Sequence, residues 1–267
     1  MTKFRPYSSR EFRRRFLEWA RRNLQTVAVL TTGAVGLLFG MTVLLATLMP
    51  EASSKWYVLG LLHAGVVAAY LHLLQAAFLA HDREAIWHLR GAWGEDNTRN
   101  ELQRAKRKRL IWGWVDSITL QGGDLDHLVV TRHGGLVAID SKWRNQHTAD
   151  DALDMARAAS KARLRAEGLA QTLLLSQRGG ARHRARTNAL TVRPVVVLWG
   201  AAQHDVPDAA EIDGIEFVSG RRLVAWLGQL EGHPVTKDAA TELLKRLTDY
   251  RATAWGQTRV ASRRAPR

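Results

Sequence analysis

The apolar positions of this chain are unevenly spread. Two long uncharged runs, Thr26 to Met49 and Trp56 to Ala80, lie close together near the N-terminus, and no comparable run follows. A helix rises about 1.5 Å per residue, so about 20 apolar residues cross a hydrocarbon core of about 30 Å. Both runs reach that length. Pro50 stops the first, and only Pro50-Glu51-Ala52-Ser53-Ser54-Lys55 separates it from the second. The pattern predicts a transmembrane helical hairpin over residues 26–80, with spans 26–49 and 56–80. The first run is too long for a cleaved signal peptide, and a second follows it at once. Gly36 and Gly40 have a GxxxG spacing. This would let another helix come close, and with it a second copy of the chain through the hairpin. His63 and His72 stand about 2.5 turns apart on roughly opposite faces, which predicts interfacial or inter-helix hydrogen bonding rather than one shared site.

Beyond residue 80 the periods shorten. Ala92 to about Arg109 reads as a helix after Gly91, and residues 81–90 as a linker. Trp112–Leu120, Leu125–Thr131 and Leu136–Trp143 read as strands, the last two joined by the turn Arg132-His133-Gly134-Gly135. Thr148–Gln177 has the 3.6-residue period of a long helix, with Leu153, Ala156, Ala159, Leu164, Leu169 and Leu173 on one stripe. Val192–Trp199 is apolar throughout and reads as a central strand. Ile215–Val218 is a short strand, Arg221–Leu230 and Thr236–Tyr250 are closing helices, and the tail from Arg251 reads as loose. The fold class is therefore α/β: a mixed central sheet flanked by helices, preceded by the two-helix hairpin.

Composition narrows the chemistry. The 267 residues contain no cysteine, which excludes a disulfide scaffold, a Cys-ligated zinc finger and a thiol nucleophile. The formal net charge of +14 points to a polyanion or an anionic surface. Part of it sits in residues 1–25, where Lys3, Arg5, Arg10, Arg13, Arg14, Arg15, Arg21 and Arg22 face only Glu11 and Glu18. By the positive-inside rule this arm, both termini and the whole body after residue 80 are cytoplasmic. Phe12, Phe16 and Trp19 interleave with the arginines at helical spacing, so the arm is expected to lie as an amphipathic helix on anionic lipid.

Three charged residues interrupt strands otherwise rich in Val, Ile and Leu: Asp126, Asp140 and Lys142. Asp140 and Lys142 share a face by alternation. A hairpin centred near His133 would set Asp126 opposite Asp140, and Asp124 opposite Lys142. Opposed residues have Cβ atoms about 5 Å apart, where two carboxylates repel unless a cation lies between them. Mg²⁺ suits such oxygens and keeps several waters. A neighbouring lysine could orient water or stabilise charge on a phosphate. A turn centred at Gly134-Gly135 would instead slip the pairing, and exposed Asp–Lys pairs of a surface hairpin would contribute little.

The stretches Gly91-Ala-Trp-Gly94-Glu95, Asp124-Leu-Asp126-His127-Leu-Val-Val and Gly135-Leu-Val-Ala-Ile-Asp140-Ser-Lys142 together resemble the nuclease-related domain (NERD) of the PD-(D/E)xK nuclease superfamily. The resemblance covers residues 91–200 and leaves 201–267 as a C-terminal extension. It implies a restriction-endonuclease-like sheet and metal-dependent phosphodiester hydrolysis. Asp126 and Asp140 would ligate Mg²⁺ or Mn²⁺, with help from the Ser141 carbonyl, and Lys142 would act on the water or the scissile phosphate. Glu95 would reach the same pocket as a further metal or water ligand; its alternative role is an acid favoured by a helix N-terminus. The family usually has Glu where Asp140 stands, although the superfamily admits either acid. Gln171 occupies a helix where some relatives place a polar active-site residue. His127 points to the opposite face and reads as structural.

The implied partners are nucleic acid, DNA ahead of RNA, and the lipid bilayer. Arg104, Lys106, Arg107 and Lys108 form one candidate phosphate-binding cluster, and Arg182 and Arg184 belong to another in the loop Arg178–Arg186. Trp112, Trp114 and Trp143 could stack on bases, though packing is the usual fate of tryptophan near strands. Two readings from other classes compete: a catalytically silent module that holds nucleic acid at the membrane, and a scaffold protein whose working part is the hairpin.

Overall fold

The computed structural model describes residues 7–48, 53–120, 123–175, 192–208 and 210–264. The chain forms two compact units, Tyr7–Leu89 and Arg90–Arg267.

The first unit contains α1 (Tyr7–Arg22), α2 (Leu24–Leu48) and α3 (Ser53–His81). The second and third are the two apolar runs. Both are long and apolar enough to cross a membrane, with mean hydropathies of 2.1 and 1.7, and neither apolar window is buried inside the protein. Polar groups tie the two together: Thr42 Oγ1 to His63 Nε2 at 2.9 Å and Thr31 Oγ1 to Tyr70 Oη at 2.9 Å. His63 thus makes the bond between helices expected of it, while His72 is exposed. A Cβ added at Gly36 or Gly40 would meet nothing within 4 Å, so α3 does not use the GxxxG pair.

The arm is helical and amphipathic as expected, but its aromatic face has a protein partner. Phe12, Phe16 and Trp19 of α1 do not form a free lipid-facing stripe. They surround Phe78 of α3, with ring centroids 5.4, 5.3 and 5.6 Å away. Trp19 and Phe78 are buried. The aromatic face already has a protein partner, and burying it there removes more apolar area from water than a solitary helix could. Arg15 fixes the contact from its polar edge, bonding Asp82 at 3.2 Å and Glu84. Arg13, Arg14, Arg21 and Arg22 remain exposed.

Residues 83–90 of the expected linker are helical. α4 runs from Arg83 to Arg107, and Asp82 caps it by accepting the Ala85 N–H at 3.1 Å. Arg109 leaves the helix at φ 59°.

The second unit is a mixed six-stranded open sheet: β1 (Ile111–Leu120), β2 (Gly123–Thr131), β3 (Leu136–Trp143), β4 (Val192–Trp199), β5 (Ala210–Ile212) and β6 (Ile215–Ser219), in the order β1-β2-β3-β4-β6-β5. The first three strands are antiparallel neighbours, β4 is parallel to β3 and β6, and β5 closes the edge antiparallel to β6. The turn before β3 folds on Thr131, whose hydroxyl donates to Gly135 O at 2.8 Å and accepts the Gly134 N–H at 2.9 Å. α5 (Ala149–Leu175) starts with a capping box, in which Thr148 and Asp151 bond each other's backbone N–H groups. Together with α7 (Lys237–Arg264) it covers one face of the sheet, where Leu128, Val130, Leu169 and Leu243 share a cluster. On the other face α4 and α6 (Leu223–Gly228) pack Leu102 and Leu227 against Val137 and Val195. Residues 201–264 thus contribute two strands and two helices to this unit. The tail expected to be loose is helical as far as Arg264.

Candidate functional site

The site begins with the register of β2 on β3. His127 lies opposite Ile139 and Val130 opposite Leu136, which centres the hairpin on His133. The ladder stops one step before Asp126 and Asp140. There a side chain replaces the backbone partner: Asp126 Oδ2 accepts the Ser141 N–H at 2.8 Å. On the other side of β2, β1 leaves regular strand geometry at Ser117, whose φ is 46°. Lys142, two residues beyond Asp140 on the same face, places its Nζ 2.7 Å from Asp140 Oδ1. Each carboxylate therefore has one oxygen engaged and one uncommitted by these bonds.

A cavity of about 500 Å³ opens at this point. The strands contribute Asp124, Asp126, Asp140 and Lys142 to its lining. Opposite them α5 contributes Asp154, Arg157, Lys161 and Arg165. Volumes of this order are typical of ligand sites.

Burial pushes the Asp126 carboxyl up to about 7, and the charges of Asp140 and Glu95 push the same way. Burial would pull the Lys142 ammonium down, but the Asp140 and Asp126 carboxylates outweigh it and hold Lys142 above its ordinary value. Lys142 is therefore a fixed positive charge, whereas Asp126 sits close to neutrality in its titration.

Glu95 is buried on α4 and acts on Asp126 through its charge, but it does not border the cavity. It stands about three turns into the helix, so the helix-terminus role does not apply. One turn on, Thr98 anchors α4 to the strands. Its Oγ1 accepts the Trp199 indole N–H at 2.8 Å and lies 2.8 Å from Ser141 Oγ.

His127 is fully buried and donates from Nδ1 to Asp116 Oδ1 at 2.7 Å, the structural role expected of it. Asp116 also accepts Trp114 Nε1 at 2.7 Å and Arg99 Nε at 3.0 Å. Burial alone would raise the Asp116 carboxyl, yet His127 and Arg99 bring it down to about 2.

Arg104, Lys106, Arg107 and Lys108 are exposed at the end of α4, with Arg104 paired to Glu101 at 2.6 Å. None borders the cavity. The neighbouring start of β1 pairs Ile111 with Thr131, five residues along β2 from Asp126, or about 17 Å away. Arg182 and Arg184 lie outside the described residues, as does the whole loop Arg178–Arg186. Gln171 is exposed on α5 away from the cavity, and Trp143 packs against Trp93 with ring centroids 5.4 Å apart. The cations that do reach the cavity are Arg157, Lys161 and Arg165 of α5, none of which the apolar stripe of that helix singles out. Their recurrence at every fourth residue was the signal available.

The oxygens present suit a hard divalent ion. Mg²⁺ is usually held by one or two carboxylates while water completes its shell, and Asp126 and Asp140 supply that number. Among the described residues no group of three or more His, Asp or Glu side chains is gathered tightly enough to hold a metal unaided. Comparison with family models, curated proteins and solved structures finds no match to this chain.

Proposed function

We propose that the second unit is a metal-dependent nuclease domain of the NERD type, with a restriction-endonuclease-like fold, tethered to the membrane by the hairpin. The observation that carries the reading is the convergence of Asp126, Asp140 and Lys142 on one cavity. A charged lysine beside two carboxylates, set within strands otherwise rich in Val, Ile and Leu, supports a chemical rather than a packing role. Asp126 and Asp140 would hold Mg²⁺ or Mn²⁺, which when bound polarises a phosphoryl oxygen and lowers the pKa of water. Asp140 positions Lys142, and the ammonium stabilises charge that builds on the phosphoryl oxygens during attack. The Ser141 N–H holds the Asp126 carboxylate in one orientation, and Thr98 fixes the strand beneath it.

The α2–α3 pair supports a membrane location because its apolar surface is not covered by protein. The arginines of α1 on the same unit favour a cytoplasmic body. With no native cysteine, single introduced cysteines would report sidedness cleanly; a body residue labelled from outside intact cells overturns that orientation.

The test of the activity uses the full chain in detergent micelles with labelled DNA and RNA. Cleavage should need Mg²⁺ or Mn²⁺ and should fall by about a thousandfold or more in Lys142→Ala. Cleavage that survives this substitution overturns the assignment. Metal-independent binding without cleavage by the intact protein would leave the silent binding module.

A further inference from the structure

The wall of the cavity that faces the carboxylates is basic along one line. Arg157, Lys161 and Arg165 recur every four residues on α5, and all three border the cavity. On a helix this spacing makes a stripe with about 6 Å between successive members. Arg157 is paired with Asp154 at 3.2 Å. Lys161 and Arg165 have no acidic partner within salt-bridge distance among the described residues, although Asp124, Asp126 and Asp140 border the same cavity. The Arg165 guanidinium lies over Gly123 at the start of β2: a Cβ there would come within 2.7 Å of its Nη1. Gly123, at φ 136°, has no side chain to compete for the space where the guanidinium sits.

We propose that α5 binds the backbone of an extended single strand of nucleic acid, with Lys161 and Arg165 on successive phosphates as the strand passes Asp126, Asp140 and Lys142. The inference rests on the nuclease reading and names its substrate class. Two features select a single strand. The cations stand in one file, one per helical turn, which suits a one-stranded backbone. A duplex presents a charge every 1.7 Å or so, divided between two strands. The cavity is also of ligand size, enough to admit part of one strand. Arg157, already neutralised by Asp154, contributes less than its two neighbours.

The experiment measures fluorescence anisotropy of a labelled single-stranded oligodeoxynucleotide and of its duplex, with the full chain in neutral detergent and a chelator present. Salt is varied, and Lys161→Gln/Arg165→Gln is run beside the unmodified protein. The single strand should bind more tightly than the duplex. The double substitution should weaken binding by about tenfold or more and lower the slope of log affinity against log salt by about 1.4, or 0.7 per lost phosphate contact. An unchanged slope, or a duplex bound as tightly as the single strand, overturns the proposal. Cleavage with Mg²⁺ is then assayed separately. Cleavage accompanied by an unchanged slope sinks the α5 contact and leaves the nuclease reading in place. The expected slope change without any cleavage sinks the nuclease reading and leaves the contact standing. Absence of binding to either probe sinks both.

Discussion

Asp126 and Asp116 are held in opposite directions by their surroundings. Asp126 is buried near two other carboxylates, so its ionised form is disfavoured, and its folded value of about 7 lies above the ordinary 3.8. Its ionisation therefore removes stability as pH rises from about 4 to about 7. Asp126→Asn should abolish that slope and raise stability at pH 8 by roughly 1–3 kcal/mol, while removing a proposed metal ligand. A thermal midpoint at pH 8 that falls in this variant would contradict the electrostatic account. Asp116 lies the other way, at about 2 against 3.8. Its contribution is complete above a pH of about 4 and is lost as pH falls towards 2, on the order of 2 kcal/mol in all. The acid limb of a stability profile should therefore flatten in Asp116→Asn. The sequence exposed the three ionisable residues of β2 and β3 because acids and lysine are conspicuous among Val, Ile and Leu. It hid Lys161 and Arg165, since a cation facing a cleft and a cation facing water look the same on an amphipathic helix.

Elements differ in how much local sequence determines them. The boundaries of β3 and β4 follow from apolar runs closed by turns, and the register of β2 on β3 follows from Thr131 and the glycines after it. The start of α4 was misplaced because Gly91 and Gly94 read as a helix opening, whereas the working signal was Asp82, a cap twelve residues upstream of Gly94. β5 has three residues and is too short to show any period. One contact between elements offers a sharp test. A Cβ at Gly220 would lie 2.5 Å from ring carbons of Trp199, the residue whose indole N–H holds Thr98. The ring is fixed on both sides, so Gly220→Ala should cost about 1–3 kcal/mol and shift tryptophan fluorescence. Unchanged stability would mean that the Trp199–Thr98 anchor is dispensable.

At the scale of the whole molecule, hydropathy separates the hairpin from the sheet unit plainly enough for both to be legible in sequence. The fate of α1 was not legible, because its partner Phe78 lies some sixty residues further along the chain, and helical amphipathicity does not say what an apolar face will meet. Truncating that partner is the direct check. Phe78→Ala should cost about 3 kcal/mol or more and speed amide exchange throughout Tyr7–Arg22. Protection that persists would show that Arg15 alone holds the helix.

The ring cluster around Phe78 has a practical side. A peptide cut from the first twenty-five positions would fully expose three rings that the intact chain packs around Phe78. Its affinity for liposomes would then measure rings that the full-length protein holds largely against Phe78.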